Sequence, residues 1–280
     1  MKKIALFTMD VESFYNTDCL KNISLVQEED HFDGIQYYLD LLKKYDIKST
    51  LFVVSSIVYK IKEILKDAIN NGHEIALHTK NHEIPTLKSN EDFSKEVEEA
   101  KEEIKEHLNV DVCGFRSPCF SMNNEKLHVL KDAGFKYDSS YLDYSKKYYH
   151  QKLDLSQFKR INSSVYSFDH FYEFEMSSIN HFPICGGGYI RIPPFILTRK
   201  LIKKYIKNND VFVFYLHPFE LSDTHKENIK ELKNYDKYYL KTNKKQFANK
   251  IEKIIRMLIK EGYEFKTYQE AIAEYEKTID

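Results

Sequence analysis

Short apolar runs alternate along the chain with longer segments in which apolar positions recur every three or four residues. An uninterrupted apolar run fits a buried strand, and the 3.6-residue period fits a helix with one face turned inward. Ile4 to Thr8 reads as the first strand, followed by a helix with Ile35, Tyr38, Leu39 and Leu42 on one face. Thr50 to Val54 predicts a second strand, and Ile57, Ile61, Ile64 and Ala68 mark a helix closed by Asn71-Gly72. Glu74 to Leu77 is a third strand. Asn90 is placed to cap a highly charged helix whose apolar positions Phe93, Val97, Ala100, Ile104 and Leu108 keep the period, with acid-base pairs on its wet side. A strand near Val112 to Phe115 leads to a helix marked by Leu127 and Leu130 and stopped by Gly134. From about Lys136 to Pro194 the periodicity fades into Tyr/Ser-rich loops and short strands. Order returns with a buried strand over Val211 to Leu216 and a helix carrying Phe247, Ile251, Ile254 and Leu258, ended by Gly262. A last strand and helix follow Tyr263.

This alternation predicts an α/β protein with parallel strands and helices outside. No Pro/Gly/Ser linker divides the chain and no long internal repeat is visible, so residues 1–280 are read as one domain. Whether the sheet is doubly wound or a barrel, its reactive groups belong at the C-terminal ends of the strands.

Composition narrows the class. With 42% hydrophobic residues, 30% charged residues and a net charge of -1, intrinsic disorder is excluded and nucleic acid is not an expected partner. Cys19, Cys113, Cys119 and Cys185 include no CxxC pair and are too few for a disulfide scaffold, which predicts a reducing compartment. The N-terminal MKKIALFTMDVES reaches Asp10 before the apolar stretch of an export signal is complete. Other apolar runs, such as STLFVVSSIV and DVFVFYL, fall short of the roughly 18 residues of a membrane span. The expectation is a soluble, cytoplasmic protein.

Four polar clusters sit where predicted strands run out. Asp10 and Glu12 follow IALFT, and residues two apart in extended backbone share a face, so one carboxylate can bind a metal while the other moves protons. Taken alone, the same pair also fits two loop acids facing water. His78 and His82 follow EIAL; on a helical turn they share a face and can grip a divalent cation, with Glu12 as third ligand and a position left for water. That set suits Zn²⁺ and also fits Fe, Co or Ni. His73, at the opposite end of the same strand, is read as a structural hydrogen-bonding residue. In GFRSPC, Arg116 can hold a carboxylate in one orientation and keep it ionised. Cys119, with no local His, reads as a small buried residue. FVFYLHP delivers His217 to a strand end, where an imidazole can protonate a leaving amine near neutral pH.

In this order the segments resemble the polysaccharide deacetylase superfamily, the NodB-type carbohydrate esterases of family 4. FTMDVES resembles the first family motif, HEIALHTKNH the second, GFRSPCF the third and FYLHP the last, a likeness spanning Thr8 to Pro218. The resemblance implies a distorted (β/α) barrel of about seven parallel strands, and a metal-dependent hydrolase that removes N-acetyl groups from amino sugars of a glycan or glycan precursor. By position it implies Asp10 as general base, Glu12, His78 and His82 as ligands of one divalent ion (Zn first, then Co, Ni or Fe), and Arg116 as the group orienting Asp10. It further implies His217 as general acid and the backbone N–H of Cys119 as oxyanion donor. Three features depart from the common pattern. The first two acids are separated by Val11 and the second is Glu, as in a DxD/DxE branch, and Cys119 stands where many members have an aromatic residue. The acid that tunes the catalytic histidine is not evident: Asp138, Asp143 and Glu175 are candidates, with Asp138 preferred. GGGYIRIPPF is similar to members linked to extracellular-polysaccharide synthesis. Two rival readings are allantoinase-like hydrolysis of a cyclic amide or ureide, and a catalytically inactive glycan-binding protein, which would have no use for Asp10 and His217.

Overall fold

The computed structural model describes residues 2–16, 32–143, 153–222 and 243–279. β-Branched, aromatic and other apolar side chains dominate Lys3–Val11, which forms the long central strand β1. It pairs in parallel with β11 (Val211–Leu216) along one edge and with β2 (Thr50–Val53) on the other, where β12 (Tyr263–Phe265) also joins the first residues of β1. From β2 the parallel sheet continues through β3 (Glu74–Leu77), β4 (Gly114–Phe115), β5 (Tyr137–Asp138) and β8 (Phe171–Phe174). Antiparallel β7 (Val165–Phe168) and β6 (Lys159–Arg160) extend that edge, and a separate hairpin is formed by β9 (Ser178–Ile179) and β10 (Phe182–Pro183). The path from β11 to β8 holds seven parallel strands curled into a distorted (β/α) half-barrel, as the resemblance implied.

Helices α1 (Asp33–Lys43), α2 (Val58–Asn70), α3 (Asn90–Leu108), α4 (Asn124–Asp132), α5 (Gly187–Arg191), α6 (Phe195–Ile206), α7 (Lys244–Lys260) and α8 (Tyr268–Ile279) complete the described elements. The two-residue strand period sorts side chains onto two faces. Ala5, Phe7, Met9 and Val11 pack with Leu51, Val53, Ile75 and Leu77 in the core beneath the helices. Ile4, Leu6, Phe52, Ala76, Val211 and Val213 share the other face with Tyr137, Phe174 and, from α8, Tyr268. Tyr137 and Tyr268 stack with centroids 4.7 Å apart and floor the barrel. Gly114 makes room for this floor, since a Cβ there would stand 1.9 Å from the Tyr137 ring.

Two local expectations shift. The cap of α3 is Ser89, whose hydroxyl accepts the Asp92 N–H at 3.0 Å; Asn90 is already helical and its side-chain oxygen accepts from Lys126 at 2.7 Å. Helix α6 lies in a stretch for which no element was expected. Among the described residues no helix is long and apolar enough to cross a membrane. Cys113, Cys119 and Cys185 are free thiols; Cys19 lies outside the described residues.

Candidate active site

The inward face of the strands leads straight to the polar groups. Continuing the period from Ile4 and Leu6 brings Thr8 and Asp10 inward at the end of β1, with Glu12 next past its terminus; Ala76 is followed in the same way by His78, and Val213 by Tyr215 and His217. Glu12, His78 and His82 are buried, and one donor atom from each lies within 4.8 Å of the others. His82 Nε2 contacts Glu12 Oε2, and His78 Nε2 is 3.7 Å from the same oxygen. The segment from His78 to His82 is not a helical turn as expected. Positive φ at Thr79 (64°) and His82 (58°) folds it into a loop instead, and this brings the two rings within 5.2 Å.

These residues fit a divalent metal. His78 Nδ1 is 2.7 Å from the Arg116 carbonyl, which can only accept, so Nδ1 carries a hydrogen and Nε2 is the ring atom that faces Glu12 and is placed to serve as a ligand. Ligand atoms around tetrahedral zinc stand roughly 3.3 Å apart, close to the His78–Glu12 separation. Burial pushes the Glu12 carboxyl up, yet the charges of His82 and His217 and hydrogen bonding from His78 hold it well below the usual carboxylate range.

Asp10 is nearly inaccessible and its Oδ1 accepts from Arg116 at 2.6 Å. Arg116 is fully buried: the same nitrogen reaches Thr8 at 2.8 Å, the other donors reach the Ser139 carbonyl, the Ser139 hydroxyl and Tyr268, and the guanidinium lies 4.0 Å over the Phe52 ring. Burial disfavours its charge, but Asp10 and Tyr268 outweigh that and raise its pKa. The turn Pro118–Phe120 holds Cys119 and Phe120 at φ of 54° and 56°, a conformation costing about 1–3 kcal/mol per residue. Ser117 braces it, donating its N–H to Ser140 at 2.8 Å and its hydroxyl to the Ser121 carbonyl at 2.7 Å.

His217 faces this group across the mouth, its Nε2 3.8 Å from Glu12 Oε1. Its Nδ1 lies 3.3 Å from Glu220 Oε2, which also accepts the His217 backbone N–H at 3.1 Å. The other Glu220 oxygen accepts from Arg191 Nε at 3.0 Å. A Cβ at Gly187 would sit 1.9 Å from Glu220 Oε2, so only glycine admits the carboxylate there. Lys250 fastens this support by donating to the carbonyls of Ile190, Arg191 and Pro193 at 3.1, 2.7 and 2.7 Å. Burial lowers the His217 pKa, but Glu12 and then Glu220 overcome it and push it up to about 9.

The structure thus brings Asp10, Glu12, His78, His82, Arg116 and His217 together. Asp138, expected to tune His217, stands elsewhere. Its strand neighbours Tyr137 and Ser139 turn toward the interior, so the period directs Asp138 to the opposite face, where it is the Cα partner of Glu173 and accepts from Ser140 at 2.7 Å. Asp143 pairs with His181 and Glu175 with Tyr166. The carboxylate at His217 is Glu220, which the sequence reading missed along with Arg191. The spacing of Glu220 three residues after His217, as in a capping box, was the available signal. His73 accepts the Ser49 N–H at 3.0 Å, and burial followed by the charge of Lys48 pushes its imidazole down to about 4, which suits a structural residue.

The family model described as polysaccharide deacetylase matches residues 29–137, and one described as a domain of unknown function (DUF3473) matches 149–273. A peptidoglycan deacetylase of Helicobacter pylori is 32% identical over 110 residues, 38% of this chain and 36% of that protein. A peptidoglycan-N-acetylglucosamine deacetylase of Bacillus cereus is 28% identical over 35% of this chain and 46% of its own length. The chain therefore spans less than half the length of these curated relatives. In fold, it resembles the Xyl-CE4 domain of a multidomain xylanase from the hindgut metagenome of Trinervitermes trinervoides, with a TM-score of 0.54 and 18% identity over 98% of this chain and 91% of that one. The first model contains His78, His82 and Arg116 and the second Arg191, His217 and Glu220, while Asp10 and Glu12 precede both matches. Residues 29–137 therefore carry the polysaccharide deacetylase family match, and along its length the chain shares the fold of that carbohydrate esterase domain.

Proposed function

We propose that the protein is a metal-dependent amide hydrolase that removes N-acetyl groups from amino sugars of a glycan or glycan precursor. The observation that carries this reading is a carboxylate fixed by Arg116, with its second oxygen left for a proton, beside the buried Glu12, His78 and His82. The relatives named as peptidoglycan deacetylases support the substrate class.

Glu12, His78 and His82 would hold the metal, with Zn²⁺ proposed first and Co, Ni or Fe fitting the same donors. A divalent cation bound there polarises the acetyl carbonyl and lowers the pKa of water. Asp10 takes a proton from the attacking water, and Arg116 keeps the carboxylate aimed while it does so. The backbone N–H of Cys119 is the proposed donor to the developing oxyanion. His217, protonated and held by Glu220, donates a proton to the departing amine nitrogen, which completes C–N cleavage and releases acetate. Glu220 takes the tuning role once expected of Asp138, and Arg191 keeps its buried charge compensated. The free thiols of Cys113, Cys119 and Cys185 fit a reducing compartment, and we place the enzyme in the cytoplasm acting on a precursor.

Acetate release from N-acetylglucosamine oligomers, read together with elemental analysis, tests the reading. Asp10→Asn is expected to abolish turnover with bound metal retained, and His78→Ala to lose both. An Asn variant of full activity would remove Asp10 as the base, and ring opening of allantoin without acetate release would favour the cyclic-amide rival.

A further inference from the structure

Helix α6 turns an unusual face outward. From Ile192 to Asn209 the chain carries Arg199, Lys200, Lys203, Lys204 and Lys207 and no acidic residue, and all five basic side chains are exposed. At the start of the same face, Ile196 and Leu197 are 63% and 53% exposed, although Thr198, Ile202, Tyr205 and Ile206 already anchor the helix on its buried side. Exposed Lys253 of α7 stands 5.3 Å over the Phe195 ring, which places a sixth cation at the apolar end. Among the described residues none of these six cations forms an ion pair with a carboxylate. The whole chain has a net charge of -1, so the concentration of positive charge is local.

We propose that this face of α6 docks on the surface of an anionic phospholipid bilayer. Ile196 and Leu197 enter the boundary between headgroups and acyl chains, while the arginine and lysines lay their stems along it and pair with lipid phosphates. A polyanion such as RNA would be met by the cations alone and gives no use to two bulky aliphatic side chains held in water at the head of the stripe. Pro193 and Pro194 join α6 directly to α5, whose Arg191 holds Glu220 at His217, so the docking helix and the support of the site are consecutive parts of the chain. The proposal stands apart from the hydrolase reading, because membrane docking needs no turnover.

Flotation of the full chain with vesicles of phosphatidylcholine alone, or of phosphatidylcholine mixed with phosphatidylglycerol, reads it directly. Binding is expected only to the mixed vesicles and is expected to weaken with added salt. Each lysine removed weakens partitioning roughly fivefold near an anionic surface, so Lys203→Glu/Lys204→Glu should cut it more than twenty-five-fold. Ile196→Ser/Leu197→Ser is expected to abolish flotation with the charge untouched; both pairs are exposed, and an unchanged melting temperature verifies the fold. No binding to the mixed vesicles overturns the proposal. So does binding that persists in the serine variant and is competed away by RNA, the behaviour of a polyanion patch.

Discussion

Asp10, Glu12, His78 and Arg116 leave the ends of neighbouring strands, and sheet register largely decides where they point. His217 also leaves a strand, but its support comes from elsewhere: Glu220 from the following turn, Arg191 from α5 and Lys250 from α7. The first group borrows its geometry from backbone pairing that exists for other reasons. The second is held by a buried ion pair whose members each depend on the other. Loss of a metal ligand from the first group should therefore cost metal and chemistry on an intact frame, whereas breaking the Arg191–Glu220 pair, like breaking the buried Asp10–Arg116 pair, should be felt by the fold as well.

The largest expected effect separates the groups by their hold on metal. Glu12→Ala should lose both zinc and turnover, while His217→Ala should keep stoichiometric zinc as kcat falls roughly 10²–10⁴-fold. Equal loss of zinc in both, by elemental analysis, would erase the distinction. Next, Arg191→Met takes from the buried Glu220 carboxylate one of its two cationic partners, the other being His217, and is expected to cost up to about 3 kcal/mol in denaturant unfolding. Adding Glu220→Gln should recover most of it, because no buried charge is then left unpaired; failure to recover would mean that Arg191 acts through packing.

A smaller effect is expected from Glu220→Gln alone. Burial lowers the His217 pKa, but Glu12 and then the charge of Glu220 push it up to about 9. Removing that charge should lower the midpoint by roughly one unit, measured by NMR, and move the alkaline limb of kcat the same way. The smallest concerns Asp138 and Glu173, outside both groups. Burial, and for Glu173 also the neighbouring Asp138, raises both carboxyls, Asp138 to about 6 and Glu173 well above its usual range. The native pair therefore keeps protons that the unfolded chain releases, and its contribution to stability, full at acid pH, is lost as pH rises through those values. Glu173→Gln should flatten the decline, gaining about 1 kcal/mol on the alkaline side, with turnover unchanged. A fall in turnover would place the pair in the site after all.

How legible the site was follows from the same division. Strand runs such as IALFT and FVFYL announce themselves by composition, and whatever follows them lands at one end of a parallel sheet, so Asp10, His78, Arg116 and His217 could be found from their neighbours. Asp138 also ends a strand, but β5 is two residues long and gives no alternation from which to judge its face. Glu220 was hidden because its partner Arg191 lies 29 positions away, in a stretch of short strands without a period. Helix α6 could have been read from Pro193-Pro194 and the spacing of Thr198, Ile202 and Tyr205, but its many lysines mask the apolar stripe.

The hydroxyl of Tyr268 donates nothing to substrate in this reading, yet it grips the guanidinium that aims Asp10. During synthesis on the ribosome, Asp10 emerges early while α8 emerges long afterwards. A nascent chain lacking α8 can already contain every group assigned a chemical task and still lack one of the contacts that hold its guanidinium, so the last brace of the base comes from a residue that takes no part in the reaction.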